Sequence, residues 1–299
     1  MTENRYYRAF GLTIRCCFPI PALPEVDTCE PDVTVVRADL SEMKEDGSPV
    51  VSEDGIHVFT ESDTKFRVSG GNLIEADIAS GDTLEYASVY LLGSCMGAIL
   101  IQRGFMLLHG SCVTNGRRSI LITGASGAGK STLAAEFLKQ GWKLITDDVT
   151  TVFSIESIPT VRSSYPSQKL WQDAMERYGR TDSEVHSLIT TADREKFGIN
   201  VIRSFYEGTS PLSMVVRLLP ADHPCEICPI EGIAKVDQIL RNSYRACFID
   251  EKDRQRHFQR CVTLSTKLPM ALAVRENGKQ CADTLYELIT KHLEETCHD

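Results

Sequence analysis

Gly124-Ala-Ser-Gly-Ala-Gly-Lys130-Ser131 follows the apolar run Ser119-Ile-Leu-Ile-Thr123 and precedes Thr132-Leu-Ala-Ala-Glu-Phe-Leu-Lys-Gln140. The order reads as strand, glycine-rich turn and helix, with GxxxxGK plus serine complete in the turn. Glycines let such a backbone wrap closely, so that its N–H groups point at phosphate oxygens, and the helix start adds a dipole that favours anions. Gly124, Ala125, Ser126, Gly127, Ala128, Gly129, Lys130, Ser131 and Thr132 are therefore expected to cradle a nucleotide's phosphates. Lys130 would reach the β and γ phosphates and the Ser131 hydroxyl would sit on magnesium, which points to ATP with Mg2+. A glycine turn without a ligand is the plainer alternative, and the complete match in its strand-to-helix setting weighs against it.

Working outward, Gly141 stops the helix from Ser131 to Gln140, and Lys143 to Thr146 reads as the next strand. It ends in Asp147-Asp148, seventeen residues beyond Lys130. Two carboxylates there should lie at the sheet's C-terminal edge, facing the phosphate loop. Adjacent strand residues point to opposite sides. One carboxylate can hold the metal, with Asp147 joining Ser131 as the expected metal set, while the other takes a proton from an attacking hydroxyl. A strand-end Asp pair can also be a simple turn or helix cap. Upstream, Phe105 to Val113 reads as one apolar strand carrying His109 before Gly110. His109 would approach the phosphates if that strand neighbours the loop strand; alone on an apolar strand, a histidine is more often a core residue.

Short β segments fill the chain before this region: Arg8 to Ile14, Asp32 to Arg37, Gly55 to Phe59, Lys65 to Val68 and Asn72 to Ala76. Pro19, Pro21, Pro24, Gly47, Pro49 and Gly70-Gly71 separate them. Tyr86 to Gln102 has helical spacing, with Val89, Leu92, Met96, Ile99 and Leu100 as its stripe. Beyond the Asp pair, Ser167 to Tyr178 reads as helical, Ser213 to Leu219 as a strand, and Glu251 to Leu264 and Lys279 to Glu295 as two closing helices. The expected architecture is α/β: a phosphate-loop core with a mixed sheet flanked by helices, 85–299, after a small β-rich N-terminal domain, 1–84.

A chain of 299 residues with 42% hydrophobic content can bury a substantial core. Its net charge of −9 argues against a broad nucleic-acid-binding surface. Arg254, Arg256 and Arg260 are interleaved with Glu251 and Asp253 and read as a solvated helix face. No apolar run approaches the roughly 20 residues needed to cross a bilayer, and Met1 to Arg8 is unlike a secretory signal; a cytoplasmic protein is expected. The eleven cysteines then read as reduced thiols. Cys225 and Cys228 form a CxxC, but no second pair follows at zinc-ribbon spacing. Adjacent Cys16 and Cys17 read as strand residues.

The run His109-Gly-Ser-Cys-Val113, the stretch Ile120 to Ser131, Gly141-Trp-Lys-Leu-Ile145 and Asp147-Asp148 together resemble the catalytic core of HPr kinase/phosphorylase. The match is dense over roughly forty residues, and in that family a His-Gly strand, phosphate loop, short helix and Asp-Asp strand follow one another at this spacing. The resemblance implies a nucleotide core akin to that of phosphoenolpyruvate carboxykinase and phosphorylation of a serine. It gives Lys130 and Ser131 phosphate and magnesium roles, Asp147 and Asp148 the metal and base roles, and His109 a place in the active site. It also implies assembly of copies through the core. The glutamate-containing, glycine-rich signature of bifunctional members is not found after the Asp pair, which speaks against the reverse phosphorylase activity. Tyr7-Arg-Ala-Phe-Gly-Leu12, Pro21-Ala-Leu-Pro24 and Tyr165-Pro-Ser-Gln-Lys-Leu-Trp171 are similar to segments of a smaller HPr-kinase-like group. That group includes tailoring kinases that phosphorylate the C-terminal serine of lasso-peptide precursors.

The acceptor expected from this is a serine on a peptide or small protein, held with help from Arg194, Lys196 or Arg245, whose charge would stabilise the transferring phosphoryl group. A solvated surface position is the plainer reading of each. A small-molecule kinase and a nucleotide-dependent switch or ATPase without an acceptor stay open, because the phosphate loop does not identify the hydroxyl donor.

Overall fold

The computed structural model describes residues 4–44, 50–190 and 195–296. Seven strands near the N-terminus form one sheet: β1 (Arg5–Ala9), β2 (Leu12–Cys16), β3 (Val33–Arg37), β4 (Val50–Ser52), β5 (Gly55–Phe59), β6 (Lys65–Ser69) and β7 (Leu73–Asp77). Their spatial order is β1-β2-β3-β7-β6-β5-β4. Inward and outward residues alternate, with Ile56, Val58, Phe66, Val68, Ile74 and Ala76 on the buried face. The run Arg8 to Ile14, expected as one strand, is instead the β1–β2 hairpin. Phe10 and Gly11 take positive φ, 56° and 69°, and reverse the chain there.

Next comes a helical stretch: α1 (Leu84–Tyr90), a π turn over Leu91–Cys95, and α2 (Met96–Gln102). Thr83 caps it, its hydroxyl accepting from the Tyr86 N–H at 3.2 Å. Leu84–Gln102 spans 19 residues at a mean hydropathy of 1.5, which by length and composition would suffice to cross a bilayer. The expectation that no run approaches that length is therefore corrected. Here 67% of it is buried inside the protein. Leu91, Leu92, Met96 and Ile99 share one core with Ile14, Val35, Phe66 and Ile74 of the sheet, and with Leu107, Val149 and Phe248 further along.

The rest of the chain runs β8 (Met106–His109), β9 (Ser111–Thr114), β10 (Ser119–Thr123), α3 (Lys130–Lys139), β11 (Lys143–Thr146), β12 (Val149–Ile155) and β13 (Ile158–Arg162). It continues with β14 (Ser167–Trp171), α4 (Gln172–Arg177), β15 (Val185–Thr190), β16 (Glu195–Asn200), β17 (Thr209–Ala221) and β18 (Glu226–Pro229). The last elements are α5 (Ile233–Arg241), α6 (Glu251–Lys267), β19 (Met270–Glu276) and α7 (Ala282–Thr296). A nine-stranded mixed sheet has the order β11-β9-β10-β17-β13-β12-β8, with β19 added beside β17 and β18 beside β19. Strands β14, β16 and β15 form a separate three-stranded sheet.

A sheet covered on both faces explains how β10 can be buried throughout. Ile120 and Ile122 pack on Leu133 and Phe137 of α3 and on Leu285 and Ile289 of α7. Leu121 faces the other way, toward Ile239 of α5 and Cys261 and Leu264 of α6. The molecule is thus a mixed α/β protein, with β10, the strand that leads into the glycine-rich turn, in a sheet sandwiched by helices.

Two further expectations are corrected. Phe105 to Val113 is two strands: β8 pairs with β12, whereas β9 pairs with β10 and β11. Gly110 makes the switch. Ser167 to Tyr178 is strand β14 followed by the short α4, because Gln168 and Leu170 alternate inward along a ladder with β16. Helix α5 was not anticipated; its Ile233 is 82% exposed, so the apolar pattern overstates its buried face. Arg254, Arg256 and Arg260 do lie exposed on α6, as expected. Cys225 and Cys228 of the CxxC are free thiols, and among the described residues no group of three or more His, Cys, Asp or Glu converges on a metal position.

A Cβ on Gly110 would lie 2.4 Å from the Ile122 carbonyl oxygen and 2.9 Å from Leu121 Cδ1. Gly110→Ala should destabilise the protein by about 1–3 kcal/mol through this forced overlap. Urea denaturation reads it; an unchanged midpoint would show that the strand switch tolerates a side chain.

Candidate active site

Strand β10 ends at Thr123 and the chain turns through Gly124, Gly127 and Gly129, at φ of 139°, 79° and 102°, before α3 begins at Lys130. A Cβ on Gly124 would meet the Leu218 carbonyl oxygen of β17 at 2.6 Å, so the turn needs a glycine both for its angle and for its space. The Gly124 N–H donates to Asn242 Oδ1 at 3.3 Å, and the backbone carbonyl of the same Asn242 accepts from the His109 N–H at 2.7 Å. One residue after α5 thereby ties the phosphate loop to the end of β8.

The loop, His109, Asp147, Asp148, Lys169, Trp171 and Lys196 line a single pocket of about 130 Å³. Its loop walls are Ser126, Gly127, Gly129, Lys130, Ser131 and Thr132; Gly124, Ala125 and Ala128 do not line it. Lys130 folds back over its own loop, donating to the Gly124 and Ala125 carbonyls at 3.0 and 3.1 Å. Burial lowers its pKa, against the pull of Asp147 and Asp148.

Asp147 and Asp148 form the two-residue turn between β11 and β12, and Asp148 has φ of 80°. That left-handed residue brings both carboxylates into the same pocket, where two consecutive strand residues would have pointed apart. Asp147 is 7% exposed. It accepts from Ser111 Oγ, from the Lys169 N–H at 2.8 Å, and from Ser131 Oγ at 3.2 and 3.3 Å to its two oxygens. A hydroxyl at the start of the loop helix facing a strand-end carboxylate is the donor set that Mg2+ uses beside nucleotide phosphates. The residues present therefore fit a magnesium ion supplied with its nucleotide.

Asp148 is held differently: His109 Nδ1 lies 3.1 Å from Oδ1, and Lys169 Nζ lies 2.7 Å from Oδ2. Burial alone would raise the Asp148 pKa, but the Lys169 charge and the His109 hydrogen bond prevail and hold it well below the ordinary range. For Lys169, burial pulls down and the Asp148 charge more than offsets it, so its pKa is raised. Nearby, burial pushes the Tyr165 phenol up to about 12. Behind His109, Tyr244 stacks at 6.1 Å between ring centroids and 23° between planes.

Of the substrate-holding candidates, Lys196 lines the pocket and lies 5.5 Å from the Trp171 ring centroid. Arg245 does not line it; its guanidinium donates to Ser94 Oγ at 2.9 Å and lies over the Phe248 ring at 6.0 Å. Arg194 lies outside the described residues. Sequence reasoning missed Gln168, Lys169, Asn242 and Tyr244. Gln168, fully buried, donates to the Ser131 carbonyl at 3.0 Å, so β14 braces α3 with one residue and the Asp pair with the next. The available signal was no more than a lysine inside Tyr165 to Trp171, a segment that the structure places in β14.

Residues 103–179 match the HPr Serine kinase C-terminal domain. The HPr kinase/phosphorylase of Clostridium acetobutylicum is 43% identical over 58 residues, which are 19% of this chain and 19% of that protein. The matched stretch thus spans about a fifth of that relative's length. Among solved structures, the HPr(Ser) kinase/phosphatase from Coxiella burnetii is 11% identical at a TM-score of 0.36, over 62% of this chain and 89% of that one.

The ion pair fixes a pH window. With its pKa depressed on folding, Asp148 contributes stability above its unfolded value of about 3.9, and loses it as pH falls through the folded value. With its pKa raised, Lys169 contributes fully below about 10.4 and loses that as pH rises through its folded value. The pair should therefore stabilise the fold across the whole span between those values. Carboxyl-carbon NMR should find Asp148 still ionised at about pH 4; titration at or above about 3.9 would contradict the pairing.

Proposed function

We propose that this HPr kinase-like chain binds ATP with Mg2+ and transfers the γ-phosphoryl group to a serine hydroxyl of a peptide or small protein. The observation that carries the reading is the convergence of His109, Lys130, Ser131, Asp147 and Asp148 on one pocket. Ser131 and Asp147 would hold the magnesium, which when bound would supply positive charge beside the nucleotide's phosphates. Lys130 leaves the loop carbonyls for those phosphates, and the backbone N–H groups from Gly124 to Thr132 cradle them.

Asp148 is the base. As the serine oxygen bonds to the γ phosphorus and the bond to the β–γ bridging oxygen breaks, the hydroxyl proton passes to Asp148, and ADP keeps the electron pair. A carboxylate with a depressed pKa is a weak base, which suits a loose transition state in which the proton leaves late. His109 orients Asp148 from one side, and the Tyr244 ring fixes the imidazole plane. Lys196, on the pocket's rim beside Trp171, steadies the acceptor or the equatorial oxygens.

The same reading carries the division into a β-rich part, 1–84, and a kinase part, 85–299, a cytoplasmic setting, and assembly of copies through the core. The short flanking likenesses extend it to a C-terminal serine of a lasso-peptide precursor as acceptor.

Intact-mass measurement with ATP, Mg2+, HPr and a panel of serine-ending peptides should show one phosphoryl group gained by one acceptor. Asp147→Asn and Asp148→Asn should each lower that turnover by about 100-fold or more, with a cooperative melting transition still present, at a lower temperature for Asp148→Asn because Lys169 loses its counter-charge. ATP hydrolysis with no acceptor labelled would support a nucleotide switch instead, and phosphorylation confined to a small metabolite would move the assignment to a small-molecule kinase.

A further inference from the structure

Residue 169 touches both carboxylates at once. Its N–H donates to Asp147 Oδ2 at 2.8 Å, and its ammonium lies 2.7 Å from Asp148 Oδ2. The two acids are therefore not equivalent. Asp147 faces a hydroxyl that can share a cation, Ser131 Oγ. Asp148 faces two nitrogens, Lys169 Nζ on one oxygen and His109 Nδ1 on the other, and neither ammonium nor imidazole N–H can share a cation.

Two-metal phosphoryl-transfer sites place two divalent ions about 3.5–4 Å apart and rely on carboxylates to bridge or flank them. Adjacent aspartates in one pocket would suit that arrangement. Here the second position is taken by an ammonium of the chain itself, with its side chain only 17% exposed. We infer that Lys169 stands in for a second divalent cation, so that the nucleotide complex holds a single metal ion, on Ser131 and Asp147. This rests on the kinase reading above and sharpens it: Lys169 acts through Asp148 as a positioning residue, aiming that carboxylate and taking the place a metal would hold beside it.

Strand β14 makes the substitution of lysine for metal geometrically stable. Gln168 grips the first turn of α3 through the Ser131 carbonyl, and Lys169 lies opposite Gly198 of β16. The metal side and the lysine side of the pocket are thus set by consecutive residues of one strand. Without the lysine, Asp148 would be a largely buried carboxylate with only His109 beside it, and it would have to acquire another cation.

Mn2+ binding to the full chain, loaded with a non-hydrolysable ATP analogue, tests this by electron paramagnetic resonance. The wild type should retain about one Mn2+ per chain, and Lys169→Met about two, whereas Lys169→Arg should stay at about one. Two ions on the nucleotide-loaded wild type would overturn the inference alone, even if the Met variant fails to fold. So would a folded Lys169→Met that still holds one. A wild-type chain that retains neither nucleotide nor Mn2+ would overturn the kinase reading, and this inference with it.

Discussion

Two like charges on neighbouring residues, set into a pocket mostly shut off from water, have to be compensated, and the structure around Asp147 and Asp148 is arranged to do so. Asp147 takes three donors, two hydroxyls and a backbone N–H. Asp148 takes a buried ammonium and a histidine. Neither arrangement would form if the pair sat on a regular strand, because its side chains would diverge. The left-handed Asp148 resolves the geometry at the expense of backbone strain, of order 1–3 kcal/mol.

That turn depends in turn on elements remote in sequence. Gly110 lets β8 and β9 diverge so that His109 reaches Asp148 while Ser111 reaches Asp147. Strand β14 closes from the other side, and Asn242 joins the phosphate loop to β8. The three contributors are about 60 to 130 residues apart along the chain, yet each meets the same acid pair or the loop it faces. The pocket is therefore a property of the assembled sheet rather than of a contiguous motif.

This explains which parts could be read from the sequence. The glycine loop, its strand and its helix are local, and their positions agree closely with the expectation because one apolar run and one glycine cluster specify them. The Asp pair was legible as a strand end, with a turn only as the plainer alternative, since nothing in Thr146-Asp-Asp-Val149 announces a positive φ at an aspartate. His109 was legible only through its place beside glycine. Lys169, Gln168 and Asn242 were not legible, because their roles come from tertiary pairing: a ladder with β16 and a loop after an unanticipated helix. Arg245 shows the reverse error. A cation following Tyr244 looked suited to phosphate, but its αL backbone at φ 47° turns the guanidinium toward Ser94, while the neighbouring ring is the one that reaches His109.

The helical run from Leu84 to Gln102 ends the account on a different note. Its composition is that of a segment at home in lipid, and what it meets instead is the inward face of the seven-stranded sheet. The sheet behaves as a private solvent for that helix, supplied by the same chain and matched to it residue by residue. Because Leu107 and Val149, which flank His109 and the Asp turn, sit in the same oily layer, the first eighty or so residues are not a detachable ornament. Stripping them away would leave the rest of the chain with an uncovered apolar flank, prone to clump with its own kind.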